Sequence, residues 1–302
     1  MRTEELKIST ADDSPLACTL TTPDGTGPHP AVLLLHGSGR LDRDGNAGRL
    51  QQNLGPALAE SLARQGIATL RYDRRGVGAT PGDWLSTGFV DNRDDAAAAL
   101  SALATLPGIR PDAIGVVGHS EGALHAMSLG TRPGVAAVVL LAGFARTGED
   151  ALRWQADAVA SGLPAPLRPL VRLSSRRLIK LGTTTEDVVR VAGKRVNARW
   201  TREMLHHDSR SDLARIRVPV LAVTGDKDVQ VDPADLQRIH ALVPGPVETL
   251  LFPGLTHLLR KEPDPASVRS YPRQLRSPVD GELLDVVTSW LARTLDTAPG
   301  DS

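Results

Sequence analysis

Between the apolar run Ala113-Ile114-Gly115-Val116-Val117 and the helix-suited run Ala123-Leu124-His125-Ala126-Met127-Ser128-Leu129 lie only Gly118-His119-Ser120-Glu121-Gly122. The first run is small and β-branched, as in a buried parallel strand, so the five residues must turn a strand abruptly into a helix. A glycine at each flank suits a turn too tight for side chains there. The turn sets Ser120 at its apex, hydroxyl outward, beside the positive end of the helix that follows. Read locally, this is either a glycine-rich turn with an incidental serine or the seat of a nucleophile. The rest of the chain decides which.

Strand and helix signals alternate along most of the 302 residues. Residues 4–22 predict an antiparallel hairpin around Ala11–Pro15. Ala31–Leu35 reads as a strand covered on both faces, ending in His36-Gly37-Ser38-Gly39. A helical stripe over Leu50–Gln65 stops at Gly66, and the strand Ile67–Tyr72 follows. A helix over Val90–Thr105 carries Asp94 and Asp95 near its start, where the helix dipole favours anions. Beyond the central turn come strands at Val135–Leu141, Val218–Val223 and Val247–Phe252, a helix at Ala234–Leu242 and a last helix at Gly281–Leu295. Lys261–Pro278 reads as a polar loop, and Thr297–Ser302 as a frayed tail. This rhythm implies an α/β fold: an open, mostly parallel sheet with helices on both faces.

The rhythm breaks over residues 145–212, which show no strand and are rich in Arg and Leu, with Pro164, Pro166 and Pro169 between amphipathic patches. So long a stretch exceeds a simple crossover. It is expected to be an inserted helical cap, leaving 1–144 and 213–302 as the core.

Composition excludes several classes. Lys plus Arg and Asp plus Glu number 35 each, so no overall field draws the chain to nucleic acid or an anionic membrane, and 3% aromatics is too few for a base-stacking platform. The one cysteine, Cys18, rules out an intrachain disulfide and reads as a packed strand residue. Neither a signal peptide nor a membrane span is legible, so a soluble cytoplasmic protein is expected. The Ala/Arg/Gly/Pro-rich, lysine-poor composition points to a GC-rich bacterial genome.

A serine attacks a carbonyl at neutral pH only if a base takes its proton, an acid fixes that base and two donors face the developing oxyanion. The needed groups occur in order. Thr224-Gly225-Asp226-Lys227-Asp228 follows the Val218–Val223 strand, and Pro253-Gly254-Leu255-Thr256-His257 follows Val247–Phe252. Ser120, Asp228 and His257 thus fall past the carboxyl ends of three strands, the edge where open α/β sheets build sites.

At this point the chain resembles a serine hydrolase of the α/β-hydrolase superfamily over nearly its whole length. The matching pieces are His36-Gly37-Ser38-Gly39, Tyr72-Asp73-Arg74-Arg75-Gly76-Val77-Gly78, Gly118–Gly122, Gly225–Asp228 and Gly254–His257. With Asp42–Asn46, they resemble an esterase-like bacterial branch near serine-aminopeptidase-like and acyl-thioesterase-like members. The resemblance implies an α/β-hydrolase fold, with Ser120 as nucleophile, His257 as base and then acid, and Asp228 as orienting carboxylate. The family's usual spacing from the glycine prefers Asp228 over its rival Asp226. It further implies oxyanion donors at the backbone N–H groups of Ser38 and Glu121, with Gly39 as fallback for the first. The Glu121 side chain is either solvated or bonded to polar neighbours.

Other polar residues read as structural. His36 suits a hydrogen-bonding loop residue, His119 packs beneath the site, and His125 is buried on the helix after Ser120. Arg74 and Arg75 brace their loop through acidic neighbours. Adjacent His206 and His207 point apart on a helix, so no metal is expected. Asp42–Asn46 starts like a calcium loop but lacks its glycine and final glutamate. Gly76 and Gly78 lack the third glycine of a dinucleotide fingerprint. No cofactor is therefore expected. The reading is a cofactor-free hydrolase that cleaves small to medium, largely apolar esters or thioesters through an acyl-enzyme. Trp154 and Trp200 are candidates both for lining the pocket and for anchoring the cap. The alternatives are a peptidase or amidase of the serine-aminopeptidase type, and a catalytically silent binding member of the fold.

Overall fold

The computed structural model describes residues 1–48, 50–191 and 193–296; the tail expectation for Thr297–Ser302 lies outside these residues. Eight strands form the central sheet: β1 (Arg2–Ser9), β2 (Pro15–Thr22), β3 (His29–Leu35), β4 (Ala68–Tyr72), β5 (Ile109–His119), β6 (Val135–Leu141), β7 (Val220–Gly225) and β8 (Val247–Phe252). Their order across the sheet is β1-β2-β4-β3-β5-β6-β7-β8. Only β2 runs against the rest, because the Thr10–Ser14 turn folds β1 back on it and β2 pairs antiparallel with β4.

The alternation of side chains along each strand divides the core in two. Leu33, Val116, Val138, Leu140 and Ala222 point to one face, where α2 (Phe89–Leu103), α3 (Glu121–Leu129) and α8 (Asp235–Leu242) cover them. Val32, Val117, Val139, Leu221 and Val223 point to the other, under α1 (Leu54–Arg64) and α10 (Gly281–Asp296). Both faces of the middle strands are buried, which is why those strands read as unbroken apolar runs rather than as alternating ones.

Between β6 and β7 the chain leaves the sheet. It forms α4 (Gly148–Ser161), α5 (Arg168–Lys180), α6 (Ala198–His206) and α7 (Ser209–Leu213). The sequence reading saw no strand here, yet Val188–Val191 and Lys194–Asn197 pair as a short hairpin. Strands of four residues are too short to leave an alternation, and a glycine in the left-handed region, Gly193, makes the turn. The return to the core begins inside α7, across the expected boundary at 212. Ser209 Oγ lies 2.7 Å from the Phe144 carbonyl, and Leu213 is buried with the first core face. The expected polar loop after β8 holds one further turn, α9 (Tyr271–Gln274).

The excursion is fastened to the sheet side by α6. Buried Asn197 caps that helix, accepting from the Trp200 N–H at 2.8 Å, while its Nδ2 donates to the carbonyls of Trp84 and Thr87, both at 2.7 Å. Glu203 accepts from the Val90 N–H at 2.9 Å, and Arg199 pairs with Asp91 at 2.8 Å.

The β5–α3 turn fixes where the sheet and α3 meet. A Cβ on Gly122 would collide with the Leu35 carbonyl at the end of β3, and one on Gly118 with the Gly122 carbonyl. Both obstacles are backbone, so neither can move aside alone. Gly122→Ala should therefore cost about 3 kcal/mol, at the upper end of overpacking. Urea unfolding checks it; an unchanged midpoint would show that α3 can shift away from β3 freely.

Candidate active site

Ser120 sits at φ 56° and ψ −118°, a backbone conformation that a non-glycine residue rarely adopts. Its N–H donates to the Leu141 carbonyl of β6 at 2.9 Å, which ties the turn to the neighbouring strand. The hydroxyl lies 3.1 Å from His257 Nε2, and His257 Nδ1 lies 2.9 Å from Asp228 Oδ2. Asp228 can only accept, so His257 donates from Nδ1 and leaves Nε2 to accept from the Ser120 hydroxyl. All three sit past the carboxyl ends of β5, β7 and β8, and the structure brings them into one chain of hydrogen bonds.

Each member is held from behind. Asp228 Oδ1 accepts from the N–H groups of Gln230 and Val231 at 2.7 and 2.9 Å. Asp226, two residues earlier, turns the opposite way and accepts from the Gly254 N–H at 2.7 Å. His119 Nε2 donates to the His257 carbonyl at 2.9 Å from beneath the site. The loop carrying His257 is clamped by buried Arg260, which donates to the carbonyls of Leu258, Gln52 and Ser277. Thr256 Oγ1 donates to Gln274 on α9 at 2.7 Å.

The His36–Gly39 turn lies against the nucleophile side. A Cβ on Gly37 would stand 3.3 Å from the Ser120 Cβ. Ser38 and Glu121 border the same cavity as Ser120 and His257. As the first residue of α3, Glu121 has an N–H without an intrahelical acceptor.

The Glu121 side chain is the residue that sequence reasoning left open. It is buried and receives four donors from four elements. Arg74 Nη1 reaches Oε2 at 3.2 Å; Asn92, His125 and Trp200 reach Oε1 at 3.3, 3.1 and 3.0 Å. Burial raises the pKa of such a group, but the Arg74 charge and the bonds from His125 and Trp200 outweigh it and hold Glu121 down to about 2. Its i,i+4 spacing to His125 was the one local signal available. Trp200 takes both of its expected roles, lining the cavity and bonding to Glu121, whereas Trp154 is not among the lining residues.

A cavity of about 560 Å³ opens above Ser120, roofed by α4, α5 and α6. Leu152, Val159, Val171, Leu178 and Met204 make its wall apolar, while Ser38, Gln155 and Gln230 add a few polar groups. The other histidines lie apart from it. His36 donates to the Arg43 carbonyl at 2.6 Å, and His206 and His207 diverge, the first onto the Arg202 carbonyl and the second 3.7 Å from Asp212. Arg75 bonds Asp95 and Asp12.

Burial pushes His36 down to about 4 and His119 down to about 3, so both stay neutral in the fold. Unfolded, they take up protons below their ordinary value near 6.5. The unfolded chain thus binds more protons between that value and about 4, and stability falls as the pH falls through this window. Two such protons correspond to about 2.7 kcal/mol per pH unit once below the window's top. Glu121 adds a loss of the same sign only at lower pH, as it protonates towards 2. Urea unfolding at pH 7 and pH 5 should therefore show a drop of at least about 3 kcal/mol, to which His125 and His207, also held down by burial, add in the same direction. His119→Gln should flatten the slope by one proton, and a pH-independent unfolding energy would contradict the assignment.

Comparison with known proteins agrees with this fold. The solved structure of Est1E from Butyrivibrio proteoclasticus superposes with a TM-score of 0.62 at 18% identity, covering 96% of each chain. Proline iminopeptidase from Mycobacterium smegmatis gives 0.64 at 16%, covering 98% of this chain and 100% of that one. In sequence, the chain is 27% identical over 281 residues to esterase EstD of Thermotoga maritima, across 91% of its own length. It spans 65% of that relative, just under two thirds of the longer protein. No helix among the described residues is long and apolar enough to cross a membrane. The family model of serine aminopeptidase S33 matches residues 27–264, most of the chain, including Ser38, Ser120, Glu121, Asp228 and His257. On that match the chain belongs to the serine aminopeptidase S33 family of hydrolases, built on the α/β-hydrolase fold.

Proposed function

We propose that the protein is a hydrolase of carboxylic esters or thioesters, working through an acyl-enzyme on Ser120. The observation that carries this reading is the hydrogen-bonded line Asp228–His257–Ser120 at the floor of an apolar cavity. As His257 Nε2 takes the hydroxyl proton, Ser120 Oγ attacks the substrate carbonyl, and Asp228 steadies the imidazolium that forms. The N–H groups of Ser38 and Glu121 receive the oxyanion. His257 then protonates the leaving alkoxide or thiolate, and a water activated by the same ring releases the acid and restores Ser120.

Residues 145–212 act as the cap of this site, on a core of 1–144 and 213–302. Their apolar roof and a volume within the usual range for small-molecule pockets suit a small to medium, largely apolar substrate. An aminopeptidase must also grip a free α-ammonium. The ionisable residues lining the cavity are Glu121 and His257, and the Glu121 carboxylate already receives four donors. That favours the ester over the peptide.

Fluorophosphonate should label the wild type and fail to label Ser120→Ala, whose kcat should fall by a factor on the order of 10⁴–10⁶. Asp228→Asn should cost about 10⁴ in kcat, because the His257 tautomer loses its orienting acceptor. Asp226→Asn should stay within about threefold, having no contact with the imidazole. Labelling that survives in Ser120→Ala, or equal activity in the two Asn variants, would overturn the assignment.

Across p-nitrophenyl esters, kcat/KM should peak at medium acyl chains such as butyrate to octanoate and fall for acetate, which leaves apolar wall unfilled. Each added buried methylene is worth about 0.8 kcal/mol, close to fourfold. An aminoacyl anilide turned over faster than every ester would move the assignment to peptidase.

A further inference from the structure

The neutral overall charge of the chain hides one strongly segregated stretch. From Ala158 to Thr185 there are five cations, Arg168, Arg172, Arg176, Arg177 and Lys180, and no Asp or Glu. All five lie on α5. Arg172 pairs with Asp157, but Arg176, Arg177 and Lys180 have no carboxylate partner among the described residues. Interleaved with them, Leu170 and Leu173 are 58% and 45% exposed, and Leu167 just before the helix is 44% exposed. These are among the few large apolar side chains that the protein leaves in water.

The inner side of the same helix packs on α4 and lines the cavity through Val171, Ser175 and Leu178. Leu170 does both: it is exposed and it borders the cavity. The outer face of α5 is therefore continuous with the mouth of the site. At its C-terminal end an open groove of about 630 Å³ is walled by Arg177, Lys180 and Arg190, with Thr183 and Thr184 between them. Cations that ring a groove beside unpartnered leucines match a surface of anionic headgroups over acyl chains, where leucine enters the apolar layer and Arg or Lys meets phosphate. A neutral apolar partner would leave these charges desolvated and unpaired.

We propose that the outer face of α5, with the cationic groove at its end, docks the protein peripherally on an anionic lipid surface, holding the cavity mouth against it. Docking itself is independent of the ester-hydrolase reading; only the consequence that apolar substrate enters from the surface rests on it.

The test is co-sedimentation of the full chain, carrying Ser120→Ala to prevent turnover, with vesicles of phosphatidylglycerol and phosphatidylcholine or of phosphatidylcholine alone. Binding should require the anionic lipid and weaken as salt rises. The combined variant Arg176→Gln, Arg177→Gln and Lys180→Gln should lose affinity about 100-fold, at about fivefold per cation. Leu173→Gln should lose several-fold by withdrawing one apolar side chain. These positions are at the surface, and unchanged circular dichroism verifies the fold. Equal binding to neutral vesicles, no binding to anionic ones, or parent-like binding by the triple variant would overturn the proposal. So would light scattering that finds a dimer broken by Leu173→Gln, since the face would then belong to a second copy. Absence of vesicle binding by the parent, with ester turnover by the wild type intact, refutes docking alone, and binding without turnover refutes only the hydrolase reading.

Discussion

The backbone of α3 touches the backbone of β3, and nearly everything at the site follows from that contact. With hydrogen at Gly122 in place of a side chain, the start of α3 comes within reach of the Leu35 carbonyl. Because β3 is the strand that ends in His36–Gly39, the same approach brings the Ser38 turn beside Ser120. The chain can then pass from β5 into α3 only by placing Ser120 in an unfavourable backbone region, at a cost on the order of 1–3 kcal/mol. The strain is sustained by burial of the sheet face beneath α3, where Leu124, Met127, Val116 and Leu33 are all essentially inaccessible. A serine in a relaxed loop could be brought near a histidine, but it would not hold a fixed relation to two backbone N–H groups as well.

Beside this steric constraint stands an electrostatic one. A lone buried carboxylate costs several kcal/mol, and Glu121 is tolerable only because Arg74, Asn92, His125 and Trp200 converge on it. Three of these come from the core, and the fourth comes from α6 in the excursion. Arg74 meanwhile donates to the His36 carbonyl at 2.7 Å, so one guanidinium links the proposed oxyanion turn to the residue after the proposed nucleophile. Trp200 extends the linkage to the roof. If α6 moved away, the Glu121 carboxylate would lose the Trp200 donor, so this bond adds a polar tie between core and roof to their apolar contact.

The sequence carried the features whose cause is local. The apolar runs of β3, β5, β6 and β7 were readable because strands buried on both faces need no alternation. The elbow was readable because glycine is the only residue that permits its backbone contacts. The order Ser120, Asp228, His257 was readable because the carboxyl ends of parallel strands share one edge. What escaped depends on groups far apart in the chain. Glu121 and Trp200 are separated by 79 residues, and no periodicity relates them. The hairpin at 188–197 is too short to show a pattern. The choice between Asp226 and Asp228 needed a spacing habit borrowed from similar proteins. In the fold, Asp228 turns toward His257 and Asp226 toward the Gly254 N–H.

Net charge is silent on local segregation for a related reason. A balance of 35 against 35 is a statement about the whole chain at distances beyond the Debye length. At the scale of one helix it says nothing, and α5 concentrates cations that acidic residues elsewhere merely offset in the sum. On the core side the balance is local. Arg43 meets Asp73 and Arg71 meets Asp44, each within salt-bridge distance. These core cations are thus neutralised pair by pair, while Arg176, Arg177 and Lys180 on α5 have no carboxylate partner among the described residues. A helix face that sets unpaired cations beside exposed leucines is an unfavourable arrangement for a surface that meets only water, since it pays for self-repulsion and exposed leucine together. Both costs fall when the opposing surface is anionic outside and apolar beneath, so the proposed docking rests on the outer face of α5 and not on Ser120, Asp228 or His257.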